Sequence, residues 1–172
     1  WEKHEKLIFI INGISCVYLI LFVYIGYDIY NTPPLDIVYI LLICIFSDTG
    51  GFLIGKLLGG KKLTKISPNK TISGSIGSFL FSLFPIIIFL LIYKFSGNNQ
   101  FSSNISYASL LFLSLFLSLV CQLGDLLISY FKRRAKVKDT GSILPGHGGL
   151  LDRIDGVIFV LPAAYIVDKL FF

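Results

Sequence analysis

Between Asp125 and Asp155 the chain reads DLLISYFKRRAKVKDTGSILPGHGGLLDRID. Five cations (Lys132, Arg133, Arg134, Lys136 and Lys138) fall within seven positions, Asp139 follows, and a Pro-Gly-His-Gly-Gly turn leads to the carboxylates Asp152 and Asp155. Cations offset phosphate charge, carboxylates hold metal ions, and glycines let backbone amides approach an anion. Together these types suit a phosphate-rich, metal-bound substrate. Mg²⁺ takes one or two protein carboxylates and completes its shell with phosphate oxygens and water, which makes Asp125, Asp152 and Asp155 the candidate ligands. Asp125, Ser129 and Lys132 lie four and three residues apart, so on a helix they share one face. His147 either donates to a phosphate or braces the glycine turn. The same cations would also serve as a topogenic cluster, attracting anionic lipid by about 1 kcal/mol per charge. The glycines and carboxylates that follow favour a substrate site.

A second constellation lies upstream: Ser47-Asp48-Thr49, Lys56, then Ser67-Pro68-Asn69-Lys70-Thr71 and Gly74. Lys70-Thr71 stands where the chain re-enters a helix, whose N-terminus favours anions. Asp48 is either paired with Lys56, two turns on, or part of a polar pocket. Gly50 to Lys56 fits the opening of a P-loop, yet Leu57 replaces the hydroxyl that would bind magnesium and no strand precedes it. That match is rejected.

These side chains must be positioned by a membrane protein. The chain has 172 residues, is 55% apolar and 15% charged, and has a mean hydropathy of +0.80. Soluble domains average about 45–50% apolar and about 25% charged, and no small aqueous fold could hide so many Phe, Ile and Leu. Leu7 to Tyr27 is uncharged over 21 residues, enough for a hydrocarbon core of about 30 Å. Further crossings are expected over 37–57, 76–93 (kinked by Pro85), 105–128 and, shorter and interrupted by Pro162, 156–167. With five spans, 13 of the 15 basic residues fall on one side and only Lys94 and Lys169 opposite. The positive-inside rule then places both polar loops in the cytoplasm, and topology accounts for the basic charge without nucleic acid. Cys16, Cys44 and Cys121 each lie in an apolar run and lack disulfide or zinc spacing. The expectation is one all-α domain over 1–172, a polytopic helical bundle of about five transmembrane helices with two cytoplasmic polar loops.

At these residues the sequence resembles the phosphatidate cytidylyltransferase (CDP-diacylglycerol synthase) family. Its signature, S-x-x-K-R, four residues, K-D, then P-G-H-G-G-x-x-D-R-x-D, stands here unbroken as Ser129, Lys132-Arg133, Lys138-Asp139, Pro145 to Gly149 and Asp152-Arg153-Ile154-Asp155. The upstream Ser47-Asp48 and Ser67 to Thr71 with Gly74 also resemble the family. Many members carry an acidic residue where this chain has Ser73, which leaves that side chain's role open. The resemblance covers roughly residues 40–172, and the family's further N-terminal helices are not found in this chain.

The resemblance implies that CTP and phosphatidate give CDP-diacylglycerol and pyrophosphate, in phospholipid biosynthesis at the cytoplasmic membrane. It implies Asp125 and Asp152 as metal ligands with Asp155 third, Mg²⁺ as cofactor, and a ligand set that admits a second cation. Lys132, Arg133, Lys138, Arg153 and His147 would hold phosphates; Asp48, Ser67, Lys70, Thr71, Ser129 and Asp139 would complete the substrate pocket. A homodimer is compatible with it. Two rivals remain at this point: a CTP-dependent polyprenol or phytol kinase, disfavoured by the unbroken motif, and an ion-coupled transporter whose intramembrane aspartates bind ions.

Overall fold

The computed structural model describes residues 2–31, 35–64, 67, 69–96, 106–137, 140–141 and 154–171. Among these the helices are α1 (Glu2–Asn31), α2 (Leu35–Leu58), α3 (Ile72–Phe81), α4 (Phe84–Ser96), α5 (Tyr107–Arg134) and α6 (Val157–Phe171). No strand occurs among the described residues. A single antiparallel bridge, Lys62 to Thr71, closes the α2–α3 connection, with Leu63 N donating to Lys70 O at 2.8 Å and Ile72 N to Lys61 O at 3.0 Å.

Four stretches are long and apolar enough to cross a membrane: Asn12–Asn31, Ile37–Leu58, Ile72–Ile92 and Tyr107–Arg134. The chain is therefore a polytopic helical membrane protein. The third stretch is broken into α3 and α4 at Ser82–Leu83, slightly before the expected kink at Pro85. A proline ring displaces the carbonyl four residues earlier, here that of Phe81, so the helix ends there. Pro85 then sits in the first turn of α4, where its missing N–H leaves nothing unpaired. The fifth expected crossing coincides with α6, whose described part has 15 residues, about 22 Å at ~1.5 Å per residue.

The core gathers Tyr39, Ile43 and Cys44 of α2, Phe89 of α4, Leu117 and Cys121 of α5, and Val160, Leu161 and Ala164 of α6. The apolar face of α1 is largely exposed, as suits a helix bathed by hydrocarbon. Between α2 and α3 glycines on both helices allow close approach. A Cβ on Gly50 would lie 2.6 Å from Gly77 O, one on Gly74 2.7 Å from Gly51 O, and one on Gly77 2.5 Å from Ile54 Cβ. The glycines that imitate a P-loop thus form one side of a backbone-to-backbone seam, the packing that small residues allow in membranes.

Candidate active site

α5 carries the site. Ser114, Ser118, Gln122, Asp125, Ser129 and Lys132 recur every three or four residues along it, so they line one side of a largely apolar helix. Partners come from several elements. Ser114 Oγ donates to Leu110 O at 2.9 Å and lies 2.7 Å from the Tyr39 hydroxyl of α2. Ser118 Oγ lies 2.9 Å from Ser47 Oγ of α2 and accepts from Gln122 Nε2 at 3.4 Å. Ser75 of α3 donates its hydroxyl proton to Gln122 Oε1. This upper part of the stripe is neutral and satisfied, as a buried polar group in a bilayer must be.

Below it the stripe becomes charged. Lys70 Nζ, at the entry to α3, donates to Asp125 Oδ2 at 3.0 Å. Lys132 Nζ lies 3.5 Å from Asp155 Oδ2, just ahead of α6, with both side chains mostly buried. Asp155 Oδ1 accepts from the Gly156 N–H at 3.1 Å. Asp48 of α2 joins them: Cys121 Sγ donates to its Oδ1 at 3.8 Å, and Asp48, Cys121 and Asp125 each offer a ligand atom within 4.8 Å of the others. Asp48 keeps an exposed flank while Asp125 is half-buried.

One atom stands out. Asp125 Oδ1 is the only buried side-chain oxygen or nitrogen among the described residues with no hydrogen-bond partner. Gly156 covers it so closely that a Cβ there would lie 3.0 Å from Oδ1 and 2.7 Å from Cys121 Sγ. A buried acceptor without a donor is costly unless a cation, its water or a proton on the neighbouring Asp155 carboxyl completes it. Of these three donors the two carboxylates are the kind a hard ion such as Mg²⁺ takes; the thiol is not. The donor set therefore fits Mg²⁺ through Asp125 and Asp48. Burial and the neighbouring Asp125 charge push the Asp155 carboxyl up to about 6, against the pull of Lys132.

The structure thus brings together five residues singled out in the sequence: Asp48, Lys70, Asp125, Lys132 and Asp155. Asp48 stands beside Asp125, and Lys56 lies over the Phe52 ring at 5.7 Å. Thr71 is the N-cap of α3, its Oγ1 accepting from Gly74 N at 3.1 Å. Ser73, whose role the motif left open, donates its hydroxyl proton to Gly59 O and ties down the connection. Ser67 supplies the carbonyl of the turn before Lys70, accepting its N–H at 3.1 Å. Ser129 follows Asp125 along the same stripe, and Arg133 is exposed. Lys138, Asp139, His147, Asp152 and Arg153 lie outside the described residues. Cys121, placed by its apolar run in the core, is buried, and its thiol also borders the two carboxylates.

A family model described as "Cytidylyltransferase family" matches residues 1–171, reaching further toward the N-terminus than the motif resemblance. The chain is 42% identical to a phosphatidate cytidylyltransferase of Bacillus subtilis (strain 168) over 148 residues, 84% of this chain and 52% of the relative. Similarity to the enzymes of that name from Staphylococcus haemolyticus (strain JCSC1435) and Staphylococcus aureus (strain COL) is 41% and 45% identity over 157 residues, 88% of this chain and 57% of each relative. The chain spans about half the length of these relatives. A solved structure described as "Structural insight into an intramembrane enzyme for archaeal membrane lipids biosynthesis" aligns with a TM-score of 0.50 at 21% identity, covering 77% of each chain. At that identity it speaks for the fold.

Proposed function

Since this chain belongs to the cytidylyltransferase family, we propose that the protein transfers CMP from CTP to phosphatidate, giving CDP-diacylglycerol and pyrophosphate. A phosphatidate phosphate oxygen forms the new bond to the α-phosphorus of CTP; the bond to the β-phosphate oxygen breaks and pyrophosphate leaves. No protein nucleophile is needed, so the protein's share is positioning and charge neutralisation. The observation that carries this reading is the orphaned Asp125 Oδ1, set among Asp48 and Asp155 and flanked by Lys70 and Lys132, at the basic end of α5.

Asp125 and Asp48 would hold Mg²⁺, with Asp155 beside them and Asp152 kept as a ligand on the family resemblance alone. Bound there, Mg²⁺ would offset charge on the triphosphate and the leaving pyrophosphate. Lys70 fixes one oxygen of Asp125 and turns the other toward the site. Lys132 and the Gly156 N–H each hold one oxygen of Asp155, while Arg133, Lys138, His147 and Arg153 are assigned to phosphates and Ser67, Ser129 and Asp139 to substrate binding. The basic end of α5 faces the cytoplasm of the inner membrane by the positive-inside rule, so the lipid keeps its acyl chains in the bilayer and its phosphate at the surface.

Labelled CTP tests this directly. With phosphatidate and Mg²⁺, label from the α-phosphate should enter CDP-diacylglycerol while pyrophosphate is released. Phospholipid and CDP would indicate a kinase instead, and ion flux with no lipid product a transporter.

A further inference from the structure

In a regular helix the carbonyl of residue 158 accepts the N–H of residue 162. Here residue 162 is Pro162, inside α6, and proline has no N–H to give. Tyr18 of α1 fills the gap: its hydroxyl donates to Ile158 O at 2.8 Å. In a bilayer that carbonyl has no water to turn to. The Tyr18 ring also lies 6.2 Å from the Phe159 ring. Phe159 in turn covers Gly124 of α5, where a Cβ would lie 2.7 Å from its Cδ2.

Ile158 and Phe159 belong to the first turn of α6, and Gly156 O accepts from Phe159 N and Val160 N at 3.2 Å each. That turn therefore sets where Gly156 rests on Asp125 Oδ1 and Cys121 Sγ, and where Asp155 meets Lys132. From this chain of contacts we infer that Tyr18, at the opposite end of the sequence from the motif, is a positioning residue for the carboxylate site. It holds α6 in register through the carbonyl that Pro162 leaves open. The inference rests on the functional reading above for its effect on turnover, but not for its effect on geometry.

The test is a cycle of four proteins in lipid nanodiscs: wild type, Tyr18→Phe, Pro162→Ala and the double variant. Two signals are read, CTP-dependent lipid product and maleimide labelling mapped by mass spectrometry to Cys121, which lies beneath Gly156. Tyr18→Phe should lower turnover about threefold to tenfold, the scale of one hydrogen bond, and speed labelling of Cys121. Alanine at 162 restores the missing N–H, so adding Tyr18→Phe to Pro162→Ala should change neither signal by more than about twofold. A helix brace unrelated to the missing N–H would not be rescued this way. The inference is overturned if Tyr18→Phe harms the Pro162→Ala protein as much as the wild type, or if Tyr18→Phe leaves Cys121 labelling unchanged. If wild type forms no CDP-lipid, the functional reading fails while the labelling cycle still decides the role of Tyr18.

Discussion

The two halves of the α5 stripe are built from the same spacing and do opposite things. From Ser114 to Gln122, every hydroxyl and amide described finds a neutral partner on α2, α3 or α5 itself, and the result is a satisfied, buried seam. From Asp125 to Lys132 the partners are charged, and one buried oxygen is left over. Polar residues in a membrane helix are thus not one class: those whose bonding is complete hold helices together, and those left incomplete mark where something else must bind.

The sharpest way to break this contrast is to compare single substitutions in each half. Asp125→Asn should lower CTP-dependent lipid synthesis about a thousandfold, the upper end for losing one preorganised electrostatic group, while thermal unfolding stays cooperative. Lys70→Gln leaves the carboxylates but frees Asp125 Oδ2; a loss of about 10- to 100-fold in activity or Mg²⁺ affinity is expected, as for other residues that orient a metal ligand. A titration of Mg²⁺ affinity against pH sharpens the picture further. With the Asp155 carboxyl near 6, protons compete with the cation below that value. Apparent affinity should rise by up to about tenfold per pH unit toward 6 and level off above 7, and Asp155→Asn should flatten the profile. Without metal the sign for stability is the reverse: the folded state binds the proton more tightly than the unfolded one, so stability falls as pH rises from about 4 to 6. The smallest effect belongs to the upper half. Ser118→Ala should cost about 1 kcal/mol of stability by stranding Ser47 and leave the rate within about twofold. Removing both serines should cost less than the two single losses added. An activity loss from Ser118→Ala as large as that from Asp125→Asn would erase the distinction.

Much of the lower half was legible because it is local. Asp125, Ser129 and Lys132 share a face by spacing alone, and the same arithmetic extended upward would have found Ser114, Ser118 and Gln122 inside an apolar run. What spacing cannot supply is the partner. Lys70 meets Asp125 across 55 positions only because the α2–α3 connection folds it back, so the nearer Lys56 looked equally eligible for Asp48. The glycines of α2 were noticed for a phosphate loop they do not form; read against Gly74 and Gly77, they are a pair of small-residue faces. The break after Phe81 was legible to within a few residues from Pro85. The interruption of α6 by Pro162 was visible in the sequence, but a tyrosine on α1 answering that proline belongs to packing that no local pattern encodes.

The seam between α2 and α3 has a mechanical implication. The atoms nearest Gly50, Gly74 and Gly77 include carbonyl oxygens and Cβ atoms, which no rotamer change can move, so this pair cannot absorb an added methyl group by local repacking. Any bulk placed at Gly50, Gly74 or Gly77 must tilt one rod against the other. Asp48 rides on the first rod and Lys70 is fastened to the start of the second. The hairpin therefore keeps Asp48 and Lys70 in a fixed relation, its joined end lying beside the carboxylates.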